Sequence, residues 1–139
     1  MRQFQQTILV ETAGPSLVEF TSEVSKIVAA SGIETGLVHV FCRHTSASLL
    51  IQENADPDVQ RDLLAFFKRL VPDGDPLFIH RAEGPDDMPA HVKTALTQTT
   101  LTIPIAHGAM LLGTWQGIYL FEHRHRPHRR SIVVHVTGD

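Results

Sequence analysis

The sequence predicts an α+β fold in one domain over residues 1–139: a largely antiparallel sheet with helices packed on it. Three observations predict it. Stretches of period-two hydrophobicity alternate irregularly with stretches of helical spacing, without the regular strand–helix repeat of a parallel sheet. The last third of the chain reads almost entirely as strand. The chain is also too short, at 139 residues, for a (β/α)₈ barrel, which takes roughly 250 residues.

Arg2 to Thr12 reads as a strand, with Phe4, Ile8 and Val10 on one face. Gly14-Pro15-Ser16 breaks it. Ser16-x-x-Glu19 has the form of a capping box, so a helix is expected from there, with Leu17, Phe20, Val24, Ile27 and Val28 at helical spacing and Gly32 ending it. Leu37 to His44 returns to strand, placing Val38, Val40, Cys42 and His44 on one face, and Leu49 to Glu53 follows as a shorter strand. Asp56-Pro57 has the form of an N-cap and first helical residue. The helix it opens carries Val59, Leu63, Phe66, Phe67 and Leu70 as its buried stripe, and Pro72 stops it. A polar loop, Asp73 to Asp87, leads to a third helix opened by Pro89 and running to about Leu96. Strands are then expected at Leu101–Ala106, Met110–Glu122 and Ile132–Thr137, the middle one long enough to need a bulge at Gly113 or Gly117.

Composition narrows the function. Twelve Lys and Arg against fifteen Asp and Glu give a net charge of −3, which does not favour nucleic acid or a membrane surface as partner. No apolar run approaches the roughly 20 residues of a membrane span, and the N-terminus has no apolar core of a signal peptide. The single Cys42 has no intrachain disulfide partner, so a cytoplasmic location is expected. Nine His in so short a chain point to chemistry.

Three polar clusters carry that chemistry. In the first, His44-Thr45-Ser46-Ala47-Ser48 precedes Glu53-Asn54-Ala55-Asp56-Pro57-Asp58. These types can hold a divalent metal or the polar groups of a ligand; equally, Asp56 caps the helix, Asp58 favours its dipole, and His44 is a hydrogen-bonded core histidine. In the second, His80 and His91 bracket Glu83, Asp86 and Asp87. Imidazole suits zinc-like metals and acid–base work, but the spacing fits no short zinc motif, and Asp86 or Asp87 serves as well for a helix cap. His91 falls early in the helix, where the dipole disfavours its protonation. The third is Gly113-Thr114-Trp115-Gln116-Gly117, ending in Glu122-His123-Arg124. In an unbroken strand Thr114, Gln116 and Glu122 would share a face with Ile118 and Leu120, as a pocket wall does, and Trp115 would face the core. His123 to Arg130 holds four Arg and three His, either a phosphate grip or a solvated hairpin loop.

Taken in order, HTSAS-x5-ENADPDV, H-x2-EGPDDMPAH, GTWQGIYL and EHR resemble the YjbQ-like family, also labelled secondary thiamine-phosphate synthase, from about Phe4 to Thr137. The resemblance implies a sandwich-like core with helices, a homotrimer, and a polar pocket near subunit interfaces. The recurring polar positions match His44, Thr45, Asn54, Asp56, His80, Asp86, His91, Thr114, Gln116 and Glu122. It implies a divalent metal, zinc or magnesium, with His44, His80 and His91 as ligands. The implied activity joins a hydroxymethylpyrimidine diphosphate to a thiazole phosphate and releases diphosphate. Under it His44 and His91 manage protons, Asp86 or Glu122 steadies a developing pyrimidine cation, and Arg124 and the Arg residues after it contact diphosphate. The alternatives are another metal-dependent enzyme on a phosphorylated metabolite, or a non-catalytic trimer that binds an anion or metabolite.

Overall fold

A computed structural model describes all residues, Met1–Asp139. The elements in chain order are β1 (Arg2–Thr12), β2 (Ser16–Glu19), α1 (Thr21–Ser31), β3 (Gly36–Cys42), β4 (Ala47–Glu53), α2 (Pro57–Leu70), α3 (Asp87–Leu96), β5 (Thr100–Ala106), β6 (Ala109–Met110), β7 (Gln116–Glu122) and β8 (His128–Gly138). They form two antiparallel sheets, one of five strands ordered β1-β8-β3-β5-β6 and one of three ordered β2-β7-β4. The α+β class therefore holds, and so does the sandwich-like core. Inward residues of both sheets and of α1 make one cluster of 19 buried side chains, among them Val38, Val40, Ile132 and Val134 from the large sheet and Leu49, Ile118 and Leu120 from the small one.

The Ser16–Glu19 signature is not a helix start. Leu17 pairs with Phe121 and Val18 with Leu120 in β2, and the Ser16 hydroxyl turns back to the Gly14 carbonyl at 2.8 Å. Sheet pairing outweighs the local capping preference, and α1 begins only at Thr21. From there the expected face holds: Val24, Ile27 and Val28 are buried, and Gly32 ends the helix at φ 69°. The α2 cap is as expected, with the Asp56 carboxylate accepting from the Asp58 amide at 2.9 Å. Its apolar stripe is only half-buried, and Phe66 and Leu70 are exposed.

The long central strand is two strands in different sheets. β6 ends at Met110 and β7 starts at Gln116, joined by a loop that carries Thr114. Trp115 is in that loop and 62% exposed, so it is not a core residue. The Gln116 side chain folds over the loop, accepting from the Gly113 amide at 2.8 Å. β8 begins four residues before the expected Ile132, and because β7 and β8 belong to different sheets, His123–Pro127 crosses between layers rather than closing a hairpin. Here the tract is partly interior: His123 and Arg130 are buried. α3 starts at Asp87, two residues before Pro89.

Candidate functional site

The structure divides the expected site residues between the two ends of the small sheet. Ala47 pairs with Glu122 at one end and Glu53 with Gln116 at the other; six residue steps of strand separate these ends by about 20 Å. Asn54, Asp56, Thr114 and Gln116 lie at the Glu53 end. His44, Thr45, Glu122 and Arg124 lie at the Ala47 end, where α3 brings Asp86 and His91, and the preceding loop brings His80. One copy of the chain therefore does not gather all ten positions into one pocket. At the far end Asp56 is a helix cap and Gln116 a loop clasp.

At the near end one constellation has the donor atoms for a metal. His80, Glu83, Asp87 and His91 each offer one ligand atom, all within 4.8 Å of one another. Asp87 and His91 stand one helical turn apart on α3 and so share a face. Nε2 of His80 is 2.7 Å, and Nε2 of His91 3.0 Å, from the same Oδ2 of Asp87. His91 Nδ1 lies 2.8 Å from the Thr45 carbonyl. A carbonyl only accepts, so the Nδ1 proton is fixed there, and the bare Nε2 of a neutral ring then faces a carboxylate oxygen. Two lone pairs at 3.0 Å need a proton or a cation between them. Arg124 donates from Nη1 to Asp87 Oδ1, leaving Oδ2 to the imidazoles, from Nε to Asp86 Oδ2 at 3.0 Å, and from Nη2 to the Glu83 carbonyl at 2.9 Å. The loop that carries Glu83 is thus held by an outer layer of hydrogen bonds. Burial pushes both Asp86 and Asp87 carboxyls up; hydrogen bonds from the His125 amide and Arg124 to Asp86, and from His80 to Asp87 beside the Arg124 charge, overcome this and leave both below the ordinary carboxylate range. Asp86, expected as a helix cap or as a carboxylate that steadies a pyrimidine cation, makes no capping bond.

His44 is not part of this constellation, which corrects the expected His44–His80–His91 trio. Its Nε2 accepts from the Ser131 amide at 2.8 Å and its Nδ1 faces Arg130 Nη1 at 3.5 Å. The proton is therefore on Nδ1 and the lone pair is already used. Burial and then the Arg130 charge hold the His44 pKa below its ordinary value. Glu122 is likewise an interior group. It is 0% exposed and accepts from Thr12 at 2.7 Å, from the His123 and Arg124 amides at 3.0 and 3.1 Å, and from Arg130 through Nε at 2.7 Å and through Nη2. Burial alone would raise its pKa; Arg130 and Thr12 keep it low and ionised. With every lone pair engaged, Glu122 holds Arg130 and has no acceptor position left for a ligand. Arg124 is in the same position: its fork is committed to Asp86, Asp87 and Glu83. The neighbouring Arg126 is exposed, with no carboxylate within ion-pair distance, beside a cavity of about 440 Å³ that Glu83, Gly84, Arg124 and His128 also line.

Residue type places Glu83 and Asp87 in the second polar cluster but does not mark them as ligands. Asp87 reads as a cap and Glu83 as loop, and only the i,i+4 relation of Asp87 to His91 hints at a shared face. Arg130 is hidden in the basic tract; its buried partner 8 residues away in sequence sits on another sheet.

Comparison with known proteins agrees with this architecture. Residues 6–139 match the family described as UPF0047 protein YjbQ-like. A UPF0047 protein of Synechocystis is 54% identical over 138 residues, covering 99% of this chain and 94% of that protein. The UPF0047 protein YjbQ of Salmonella typhimurium is 39% identical over 137 residues, covering 98% and 99%. Among solved structures, an uncharacterised conserved protein of the yjbq/upf0047 family from Clostridium acetobutylicum superposes with a TM-score of 0.88 at 35% identity, covering 95% of this chain and 99% of that one. A YbjQ-like protein of unknown function from Sulfolobus solfataricus shares the fold, with a TM-score of 0.87 at 23% identity and coverage of 99% and 100%. The chain belongs to the YjbQ-like UPF0047 family.

Proposed function

We propose that the chain is a small metal-assisted transferase of the secondary thiamine-phosphate synthase type, acting on phosphorylated metabolites in the cytoplasm. The observation that supports it most is the His91 tautomer: with Nδ1–H on Thr45, its Nε2 faces Asp87 Oδ2 at 3.0 Å, with His80 and Glu83 beside it. Two imidazoles with carboxylates suit zinc, whereas magnesium prefers oxygen ligands and water. Zinc held there would neutralise phosphate charge and favour departure of diphosphate.

The chain's own residues supply the rest. Asp87 aligns both imidazoles and Arg124 aligns Asp87. Arg126, rather than the committed Arg124, is the cation free to take the diphosphate at the adjacent cavity. The thiazole nitrogen gives its lone pair to the pyrimidine methylene as the carbon–oxygen bond breaks, and that bonding pair leaves with diphosphate. Asp86, which is outside the metal set, is the carboxylate left to face the resulting pyrimidine cation, with Arg124 holding it in place.

The exposed outer face of the large sheet supports the homotrimer part of this reading. Leu9, Leu37 and Phe41 lie exposed on it, and a neighbouring copy could also bring Asn54 and Gln116 to the metal end that one copy leaves without them. The test is thiamine-phosphate formation from the two phosphorylated precursors by zinc-replete protein. Turnover that is lost in a folded His91→Ala variant and kept in His44→Ala supports the reading. No turnover by zinc-replete wild type, or full turnover by His91→Ala, overturns it.

A further inference from the structure

A second cavity of about 390 Å³ lies beneath α2, walled by Leu64, Phe67 and Lys68 of that helix, Lys93 of α3, and Phe121 and His123 around the end of β7. It is separate from the metal constellation: Lys93 and His91 are two residues apart on α3, about 200° around the helix, so they face opposite sides.

One residue of the cavity wall carries a buried polar atom without a partner. His123 is 2% exposed, and its Nε2 meets the Ser48 hydroxyl at 2.9 Å. The Thr97 hydroxyl continues that chain, 2.6 Å from Ser48 and 2.8 Å from the Lys93 carbonyl. A carbonyl can only accept. The chain is satisfied throughout when His123 Nε2–H donates to Ser48, Ser48 to Thr97, and Thr97 to the carbonyl. His123 Nδ1 is then a bare acceptor, and it is one of two buried side-chain atoms in the protein that have no hydrogen-bond partner. The Lys93 stem is buried, and its ammonium, which makes neither hydrogen bond nor ion pair, opens to solvent at the cavity. The acids on the wall are already engaged, Glu122 by Arg130 and Asp73 by His125 at 2.7 Å. Asp73 offsets one of the two lysine charges, Lys68 and Lys93, so the wall keeps a net charge of about one positive unit. The apolar wall is aromatic: Phe67 packs edge-on against Phe121 at 5.2 Å between ring centroids, and Phe121 packs on His123 at 4.3 Å.

We propose that this cavity is a binding site for a small aromatic organic anion. The anionic oxygens meet Lys93, a hydroxyl or protonated phosphate oxygen donates to His123 Nδ1, and the ring stacks along Phe67 and Phe121. A cavity of this size, mostly apolar with a few converging polar groups, is the usual form of a small-molecule site. The proposal does not depend on the metal reading.

The experiment is a phenyl phosphate titration of the full chain, followed by the His123 imidazole nitrogen resonances, up to about 10 mM, beyond the weak end of specific affinity. We expect a saturable shift of the His123 signals, affinity lowered about tenfold or more in Lys93→Met, and no binding in Leu64→Trp, which fills the cavity. His91→Ala should bind as wild type. No saturable shift, equal affinity in folded Lys93→Met and Leu64→Trp, or equal binding of inorganic phosphate overturns the proposal.

Discussion

Removing the Glu122 carboxylate leaves Arg130 with its charge buried and its main partner gone. Breaking such a pair from one side typically costs about 3–5 kcal/mol, so Glu122→Ala should lower the free energy of unfolding by that order, read by urea titration. Histidine 123 makes a prediction with a pH window. Burial, then the Lys93 charge, lowers its pKa to about 3 in the folded protein, whereas an unfolded histidine titrates near 6.5. Between those values the unfolded chain binds a proton the folded chain refuses. Stability is therefore full above about pH 6.5 and falls on acidification by up to about 1.4 kcal/mol per pH unit for one proton. His123→Gln should flatten the dependence of Tm on pH between about 6 and 4.5; an unchanged slope would mean that His123 titrates normally in the fold. Residue type alone picks out His44, His80, His91, Asp86 and Glu122, yet it does not say which are ligands and which are anchors. That distinction rests on partners distant in sequence: Ser131 uses the His44 lone pair, and Arg130 and Thr12 enclose Glu122.

At the scale of elements, what was legible depended on whether the local signal had a tertiary competitor. The Asp56-Pro57 start of α2 faces solvent and forms as written. Asp56→Ala should cost about 1 kcal/mol, measured by thermal unfolding. The equally well-formed Ser16-x-x-Glu19 start fails because Leu17 and Val18 find β7 as a partner. The continuous apolar pattern from Met110 to Glu122 hides a change of sheet, since a strand in either layer shows the same periodicity. Glycine 36 shows a constraint the sequence does not advertise. It pairs with Gly138 across β3 and β8, and a Cβ there would come within 2.0 Å of the Thr137 carbonyl oxygen. Gly36→Ala must push those backbones apart, at about 1–3 kcal/mol, the usual cost of overpacking. A melting temperature equal to wild type would contradict the register.

For the molecule as a whole, all three helices leave the outer face of the large sheet uncovered, with Leu9 59% and Phe41 49% exposed on it. No helix is long and apolar enough to cross a membrane. A single chain of this size rarely leaves such a face to water without a partner. On the trimer reading, light scattering should give about three times the chain mass of 15.4 kDa, and Phe41→Asp should shift it toward the single-chain value. The proposed metal site is formed by His80, Glu83, Asp87 and His91 at the end of the small sheet. It is tested most directly by zinc stoichiometry after dialysis in wild type, Asp87→Ala, His91→Ala and His44→Ala. One zinc per chain is expected in wild type and in His44→Ala, with zinc lost in the Asp87 and His91 variants. Zinc retained without Asp87 and His91, or lost with His44, would contradict it.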